Sequence, residues 1–303
     1  MITDIVERHI ALHRSTGYLF RSPAALLRLF ARFADAREED VVRTHTVLEW
    51  AAQAPTAGTR RGRLHIVRRF ARLSRSEDPR HEVPPPDVFG PRPQRRTPFI
   101  FSMAEIHALL DAASALGPIG SIRAPTYTTF FGLIASTGLR VSEAIALRLD
   151  DITVDGLVIH ESKFRKSRLV PVHTTTRDAL DTYIGIRARV AGADRNVFVS
   201  DRGTRLAYPT VNATFLKLVR KLGLHPGAGK RGPRIHDLRH AFAVRSIEQC
   251  PSGRDAVARH VHALSTYLGH AHLWDTYWYL EATPRLLADI SDQGELLATR
   301  GAP

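Results

Sequence analysis

Within "HDLRHAFA", residues 236–243, His236 and Arg239 stand three apart, which places both on one face of a helix. Arginine offers a planar fork of donors suited to phosphate oxygens, and histidine a group that moves a proton near neutral pH. "STGLRVSEAIALRLDDI", residues 136–152, holds a second arginine. Gly138 breaks the preceding apolar helix, and Arg140 opens a new one with Val141, Ala144, Ile145 and Leu147 facing inward. Backbone amides at such a start suit an anion; pairing of Arg140 with Glu143 is an equal alternative. The chain has only five lysines, Lys163, Lys166, Lys217, Lys221 and Lys230, and uses arginine elsewhere. Lysine, unlike arginine, can give up a proton near neutral pH. "YLGHAHLWDTYWYLEATPRLL", residues 267–287, carries His270, Tyr277 and Tyr279 beside Trp274 and Trp278. Taken alone, it reads as an aromatic core helix.

These residues need elements to hold them. Residues 1–77 are expected to form a small helical domain of about four helices. "TDIVERHIALHRSTGY" has Thr3 as N-cap, and "SPAALLRLFARFADA" has Ser22 as cap and Pro23 as first helical residue. "THTVLEWAAQA" and "GTRRGRLHIVRRFARLSRS" complete the set. The last is strongly basic, with Arg60, Arg61, Arg63, Arg68, Arg69, Arg72 and Arg75; it is either a solvated face or one set against phosphates. Residues 78–98 contain seven prolines and are expected to form an extended linker. The second domain, 99–303, opens with a capping box of Ser102 and Glu105. Its two strands, "GLVIHE" and "RLVPVH", flank the basic turn "SKFRKS". The fold class is therefore mainly α with a small antiparallel β-sheet.

Lys and Arg number 43 against 30 Asp and Glu, a formal net charge of +13. That balance favours a polyanion such as nucleic acid, with arginine-rich coding bias as the alternative source. One cysteine, Cys250, excludes an internal disulfide framework and a cysteine-cluster zinc site. His260, His262, His270 and His272 alternate poorly for a shared metal and lack a carboxylate or cysteine to complete a set. No apolar run reaches membrane-spanning length, and a cytosolic location is expected.

Taken together the boxes resemble those of the tyrosine recombinase (phage integrase) family. Thr137–Glu143 is similar to its Thr-Gly-Leu-Arg-x-Ser-Glu run, His236–His240 to its His-x-Leu-Arg-His run, and Leu268–His270 to its Leu-Gly-His. The ninth residue after His270 is Tyr279, where the family places its nucleophile. The resemblance covers 99–290; residues 1–77 match the family's core-binding (SAM-like) domain by size and charge.

It implies a site-specific recombinase with a catalytic domain at 99–303. Arg140 and Arg239 would clamp the phosphate, with His236 and His270 as donors. Tyr279 would attack to leave a 3′-phosphotyrosine, and Lys163, with Lys166 as second choice, would be the general acid. Tyr277 is the rival nucleophile, about 200° away around a helix. Arg60, Arg61, Arg63, Arg68, Arg69, Lys166 and Arg168 are the expected DNA contacts. No cofactor or metal is implied. The expected partner is double-stranded DNA, bound by a homotetramer and shared with any related recombinases encoded alongside, and a helix from Pro284 would pack on a neighbouring subunit or its own domain. Integration or transposition of a mobile element is the expected role, suggested by "DTYWYLEATPRLL", with chromosome-dimer resolution as competitor. A catalytically inactive DNA-binding protein and a type IB topoisomerase-like enzyme are the alternatives.

Overall fold

The structure is a computed structural model. It describes residues 1–91, 96–160, 167–190, 192, 194–227, 231–250, 254–270 and 272–281, without the side chains of Arg254, Tyr277, Trp278, Leu280 and Glu281. The chain divides into two compact units, Met1–Arg95 and Arg96–Pro303.

The first unit has helices α1 (Ile2–Ser15), α2 (Arg21–Asp35), α3 (Thr44–Ala52) and α4 (Ala57–Glu77). Apolar residues at helical spacing converge: Ile2, Val6 and Ile10 of α1 meet Leu27, Phe30 and Ala34 of α2, Val47 and Trp50 of α3, and Leu64, Val67 and Phe70 of α4. Truncating a buried phenylalanine such as Phe70 would cost about 3–5 kcal/mol.

The helix starts differ from the sequence expectation. The first amides of α1 are capped from α2, where Asp35 accepts from the N–H of Ile2 at 2.8 Å and of Thr3 at 3.3 Å. A local Thr3 cap is therefore unnecessary. Before α2, Phe20 adopts a left-handed conformation with φ 45°, so the helix begins one residue ahead of Ser22.

The first part of the proline-rich stretch is docked rather than free. His81 is buried and its Nδ1 accepts from the Val42 N–H at 2.9 Å, while Glu82 accepts from the Thr44 N–H at 2.8 Å. Proline fixes the extended shape, and these buried bonds fix its place.

The second unit begins with α5 (Met103–Ser114), opened by the expected capping box. Ser102 Oγ accepts from the Glu105 N–H at 3.2 Å, and Glu105 accepts from the Ser102 N–H at 2.8 Å. The next helix, α6 (Arg123–Thr137), buries Tyr127, Phe130, Phe131, Leu133 and Ile134. Such all-round burial marks a central helix, and its end carries the first box. After it come α7 (Val141–Ala146), a 3-10 turn (Leu149–Asp151), and strands β1 (Ile152–Thr153), β2 (Gly156–Ile159) and β3 (Arg168–Val170).

The sheet is antiparallel in the order β1-β2-β3, with Leu157 opposite Val170 and Ile159 opposite Arg168. Strand β1 is an addition to the two expected; at two residues it is too short to show an alternating pattern. Helices α8 (Thr174–Arg187), α9 (Tyr208–Lys221), α10 (Ile235–Glu248), α11 (Arg254–Leu268) and α12 (Trp274–Glu281) complete the unit. Among the described residues no helix is long and apolar enough to cross a membrane. The helix expected from Pro284 lies outside the described residues.

Candidate active site

The end of α6, the start of α7, β3, α10, the end of α11 and α12 meet within the second unit. Arg239 on α10 is 1% exposed. It donates to the Gly138 carbonyl at 2.6 Å and to the Leu268 carbonyl at 2.8 Å. Arg140 donates to the next carbonyl along, that of Gly269, at 2.8 Å. Two guanidinium groups thus rest on successive carbonyls at the end of α11, where the helix dipole is negative and favours cations. Burial, then the charge of Arg140, lowers the Arg239 pKa to about 10; it remains a cation at neutral pH.

Both turns that present these carbonyls need glycine. Gly138 has φ +63°, and a Cβ there would lie 2.6 Å from Phe242 Cδ1. Gly269 has φ +67°, and a Cβ would lie 2.8 Å from Arg168 Nη1. Left-handed backbone and missing side chains together leave room for Phe242 and Leu268 at the first turn and for the Arg168 guanidinium at the second.

Arg140 does pair with Glu143, and the pairing is part of the site. Glu143 accepts from Arg140 Nη1 at 2.7 Å and from the Arg140 N–H at 2.9 Å. Arg168 closes the other side with a bidentate pair at 3.0 and 2.9 Å, and its Nε donates to the Tyr267 carbonyl at 2.8 Å. This corrects the expectation that Arg168 contacts DNA: its side chain is 10% exposed and its donors are committed to Glu143 and Tyr267, because β3 turns it inward to brace Arg140.

Burial alone would raise the Glu143 pKa, but Arg168, then Arg140, overrides it and lowers it to about 2 from an ordinary 4.5. A depressed carboxylate contributes stability above its unfolded pKa and loses it as the pH falls through the folded value. The window is therefore about pH 4.5 down to 2, and the contribution is on the order of 3 kcal/mol. Glu143→Gln is expected to lower the thermal midpoint at pH 7, with the gap to wild type shrinking by more than half at pH 3. Midpoints measured across that range by circular dichroism check this; a constant gap would count against the buried ion pairs.

His270, at the turn after α11, is held by a 2.7 Å bond between Nδ1 and Thr276 Oγ1. Burial, then the charges of Arg239 and Arg140, lowers its pKa to about 3. His236 on α10 is exposed, yet desolvation by the surrounding protein, then the charges of Arg239 and Arg234, lowers its pKa to about 4.

Tyr279 on α12 is 2% exposed and packs with Val244, Ile247, Leu264 and Leu268. Its ring stacks near that of His270, with centroids 6.0 Å apart and planes at 20°. Its hydroxyl lies 3.1 Å from Nδ1 of His240, and its nearness to Arg239 acts against the lowering of that guanidinium's pKa. The arrangement sets a phenol near the Arg239 cation, itself neighboured by Arg140, and near the His270 ring, a preorganised surround for a negatively charged centre.

The structure thus brings Arg140, His236, Arg239, His270 and Tyr279 together. Lys163 and Lys166 lie outside the described residues, as does the side chain of Tyr277. On α4, Arg60 donates to the Ala54 carbonyl at 2.8 Å, Arg61 to Phe89 at 3.1 Å, Arg63 to Trp50 at 3.0 Å and Arg68 to Pro84 at 2.7 Å. These four, all partly buried, tie α4 to flanking backbone, whereas Arg69, Arg72 and Arg75 are exposed. His260 is turned to Ser246, with Nε2 2.8 Å from its carbonyl. Sequence reasoning passed over His240, Asp237 and Thr276. The four-residue step from His236 to His240 was the available signal for the first.

Comparison with known proteins gives the family and the fold. The family model described as "Phage integrase family" matches residues 101–285. A protein of Sinorhizobium fredii (strain NBRC 101917 / NGR234) named putative integrase/recombinase y4rB is 36% identical over 295 residues, covering 94% of each chain. Tyrosine recombinase XerD of Brucella abortus biovar 1 (strain 9-941) is 27% identical over 301 residues, covering 96% of this chain and 94% of that one. The Tn1549 transposon integrase (residues 82–397), solved in complex with circular intermediate DNA, has a similar fold, with a TM-score of 0.62 at 15% identity, covering 91% of this chain and 94% of that one.

Proposed function

The chain belongs to the phage integrase family of tyrosine recombinases, and from that premise we propose that it integrates or transposes a mobile element through a 3′-phosphotyrosine intermediate. The observation that carries the proposal is the bracing of Arg140 and Arg239 on successive carbonyls beside the Tyr279 phenol. Cleavage of a phosphodiester by a phenol passes through a five-coordinate phosphorus with added negative charge, and fixed guanidinium donors stabilise that charge. Arg140 and Arg239 supply them.

His270 and His236 enter as neutral donors, since burial and the arginines keep both uncharged at pH 7. The 2.7 Å contact of His270 Nδ1 with Thr276 occupies that nitrogen and leaves Nε2 as the one that would donate to the phosphate. Tyr279 Oη attacks phosphorus, the bond to the 5′ oxygen breaks, and Lys163 protonates that oxygen. The phosphotyrosine conserves the bond energy, so a 5′-hydroxyl of another strand reverses the step. This sequence requires neither a metal nor a nucleotide.

Residues 1–77 would act as the core-binding domain, the exposed Arg69, Arg72 and Arg75 giving its phosphate-facing stripe, and four subunits would assemble on paired duplex sites. The mobile-element role is supported by the higher identity to the putative integrase/recombinase, 36% against 27% for the XerD protein.

The test is incubation with a nicked duplex bearing the ends of the element that encodes the chain. The short downstream fragment, which carries the free 5′-hydroxyl up to the nick, diffuses away after cutting and traps the adduct. A covalent protein–DNA band is expected in EDTA, resolved on a denaturing gel. Binding without a band would favour an inactive DNA-binding protein; relaxation of any supercoiled plasmid without site preference would favour the topoisomerase-like activity.

A further inference from the structure

The geometry points to His240 as the base that holds the Tyr279 phenol and takes its proton, an inference that rests on the nucleophile assigned above. His240 is 4% exposed on α10, one turn after His236. Its Nδ1 lies 3.1 Å from the Tyr279 hydroxyl, within hydrogen-bond reach, and the two ring centroids are 5.4 Å apart. Its Nε2 faces Asp237, whose carboxylate is 0% exposed and 4.0 Å away.

Which imidazole nitrogen carries the proton is set by what the other faces. A buried carboxylate on the Nε2 side favours N–H there and leaves the Nδ1 lone pair for the phenol. The same carboxylate stabilises the imidazolium that forms when the proton arrives. Asp237 is itself fixed by Arg234, which donates Nη2 to Oδ1 at 2.7 Å and its backbone N–H to Oδ2 at 2.8 Å. Asp237, at 4.0 Å, is too far to hydrogen-bond His240 and acts on it through charge alone, so the His240–Tyr279 contact carries the assignment.

The titratable groups around His240 include Asp237 and His236 on its own helix, the latter with its ring centroid 4.6 Å away, and Tyr279 on α12, behind which stands His270. Either histidine near the phosphate has a competing role: His236 is exposed and His270 spends Nδ1 on Thr276. The 3.1 Å approach of His240 Nδ1 to the phenolic oxygen is the ground for choosing it.

In the step, the Tyr279 Oη–phosphorus bond forms as the phosphorus–O5′ bond breaks. The phenolic proton passes to Nδ1 of His240, and O5′ takes a different proton from the general acid. On rejoining, the 5′-hydroxyl gives its proton back to the group that supplied it as O5′ attacks phosphorus, the phenolate leaves, and His240 returns its proton to it. Atoms and charge balance with no co-reactant.

The experiment compares wild type, His240→Leu and His240→Asn in single-turnover cleavage of the same nicked duplex between pH 6 and 9. Asparagine keeps a hydrogen-bonding group near the Nδ1 position but cannot take a proton. His240→Leu is expected to slow adduct formation about 100-fold, with DNA affinity within threefold of wild type. Its rate should climb about tenfold per pH unit, as an unassisted phenol ionising near its ordinary value would. His240→Asn should lose at least tenfold and gain the same steep pH dependence. A 5′-bridging phosphorothiolate, whose sulfur leaves without a proton, should restore neither variant. Should His240→Leu fail to fold by circular dichroism, His240→Asn decides alone. A folded variant cutting within threefold of wild type with an unchanged pH profile overturns the inference, as does rescue by the phosphorothiolate, which would put His240 on the leaving-group side. Absence of any adduct in wild type would instead refute the proposed function.

Discussion

Replacing Tyr279 by phenylalanine is expected to abolish the covalent protein–DNA adduct while leaving duplex binding unchanged. The substitution removes one oxygen and keeps the ring. The packing against Val244, Ile247, Leu264 and Leu268 therefore survives, and the fold should lose little more than one hydrogen bond, about 1 kcal/mol. Chemistry loses everything, because no second oxygen stands at that position. Tyr277→Phe is the control. Two residues along an ideal helix point about 200° apart, so Tyr277→Phe is expected to keep the band. Gel analysis of both variants on the nicked duplex is decisive: a band lost in Tyr277→Phe and kept in Tyr279→Phe would reverse the assignment.

Arg239→Ala should be the next most damaging change, and it should damage two properties at once. Cleavage is expected to fall about 10³-fold, the scale of losing a fixed donor on developing phosphate charge. The fold also suffers, because the Gly138 and Leu268 carbonyls lose a donor in a site where Arg239 is 1% exposed. Leaving buried acceptors bare costs about 1–3 kcal/mol. Arg239→Lys keeps the charge but lacks a fork to reach both carbonyls, so it should recover affinity for duplex and little of the rate. Single-turnover cleavage and thermal midpoints measured together check this. Cleavage by Arg239→Ala within tenfold of wild type would remove Arg239 from the clamp.

The helices of the first unit and the boxes of the second were legible in the sequence because each is a local pattern. Val6 and Ile10, or His236 and Arg239, declare a shared face by spacing alone. What escaped was decided across the chain. Asp35 caps α1 from another helix, a bond with no trace near Thr3. Arg168 reads as one more basic residue in a basic hairpin, yet its partner Glu143 lies 25 positions away. The α4 arginines look like a phosphate stripe by composition, and only backbone carbonyls at Ala54, Phe89, Trp50 and Pro84 divide them into structural and exposed sets. His240 stood inside a recognised box, but its orientation toward Tyr279 depends on where α12 settles.

The carbonyls that seat the arginines have a consequence for biosynthesis. Arg239 reaches back 101 positions to Gly138 and forward 29 to Leu268, and Arg140 reaches forward 129 to Gly269. The first unit closes its core with residues no later than Phe89 and can fold as it leaves the ribosome, since domains form from the N-terminus onward during synthesis. The cutting centre cannot: its cations have no seat until residues 268 and 269 emerge, and its phenol comes ten positions later still. On the proposed function, the unit expected to hold DNA would therefore form before the centre expected to cut it.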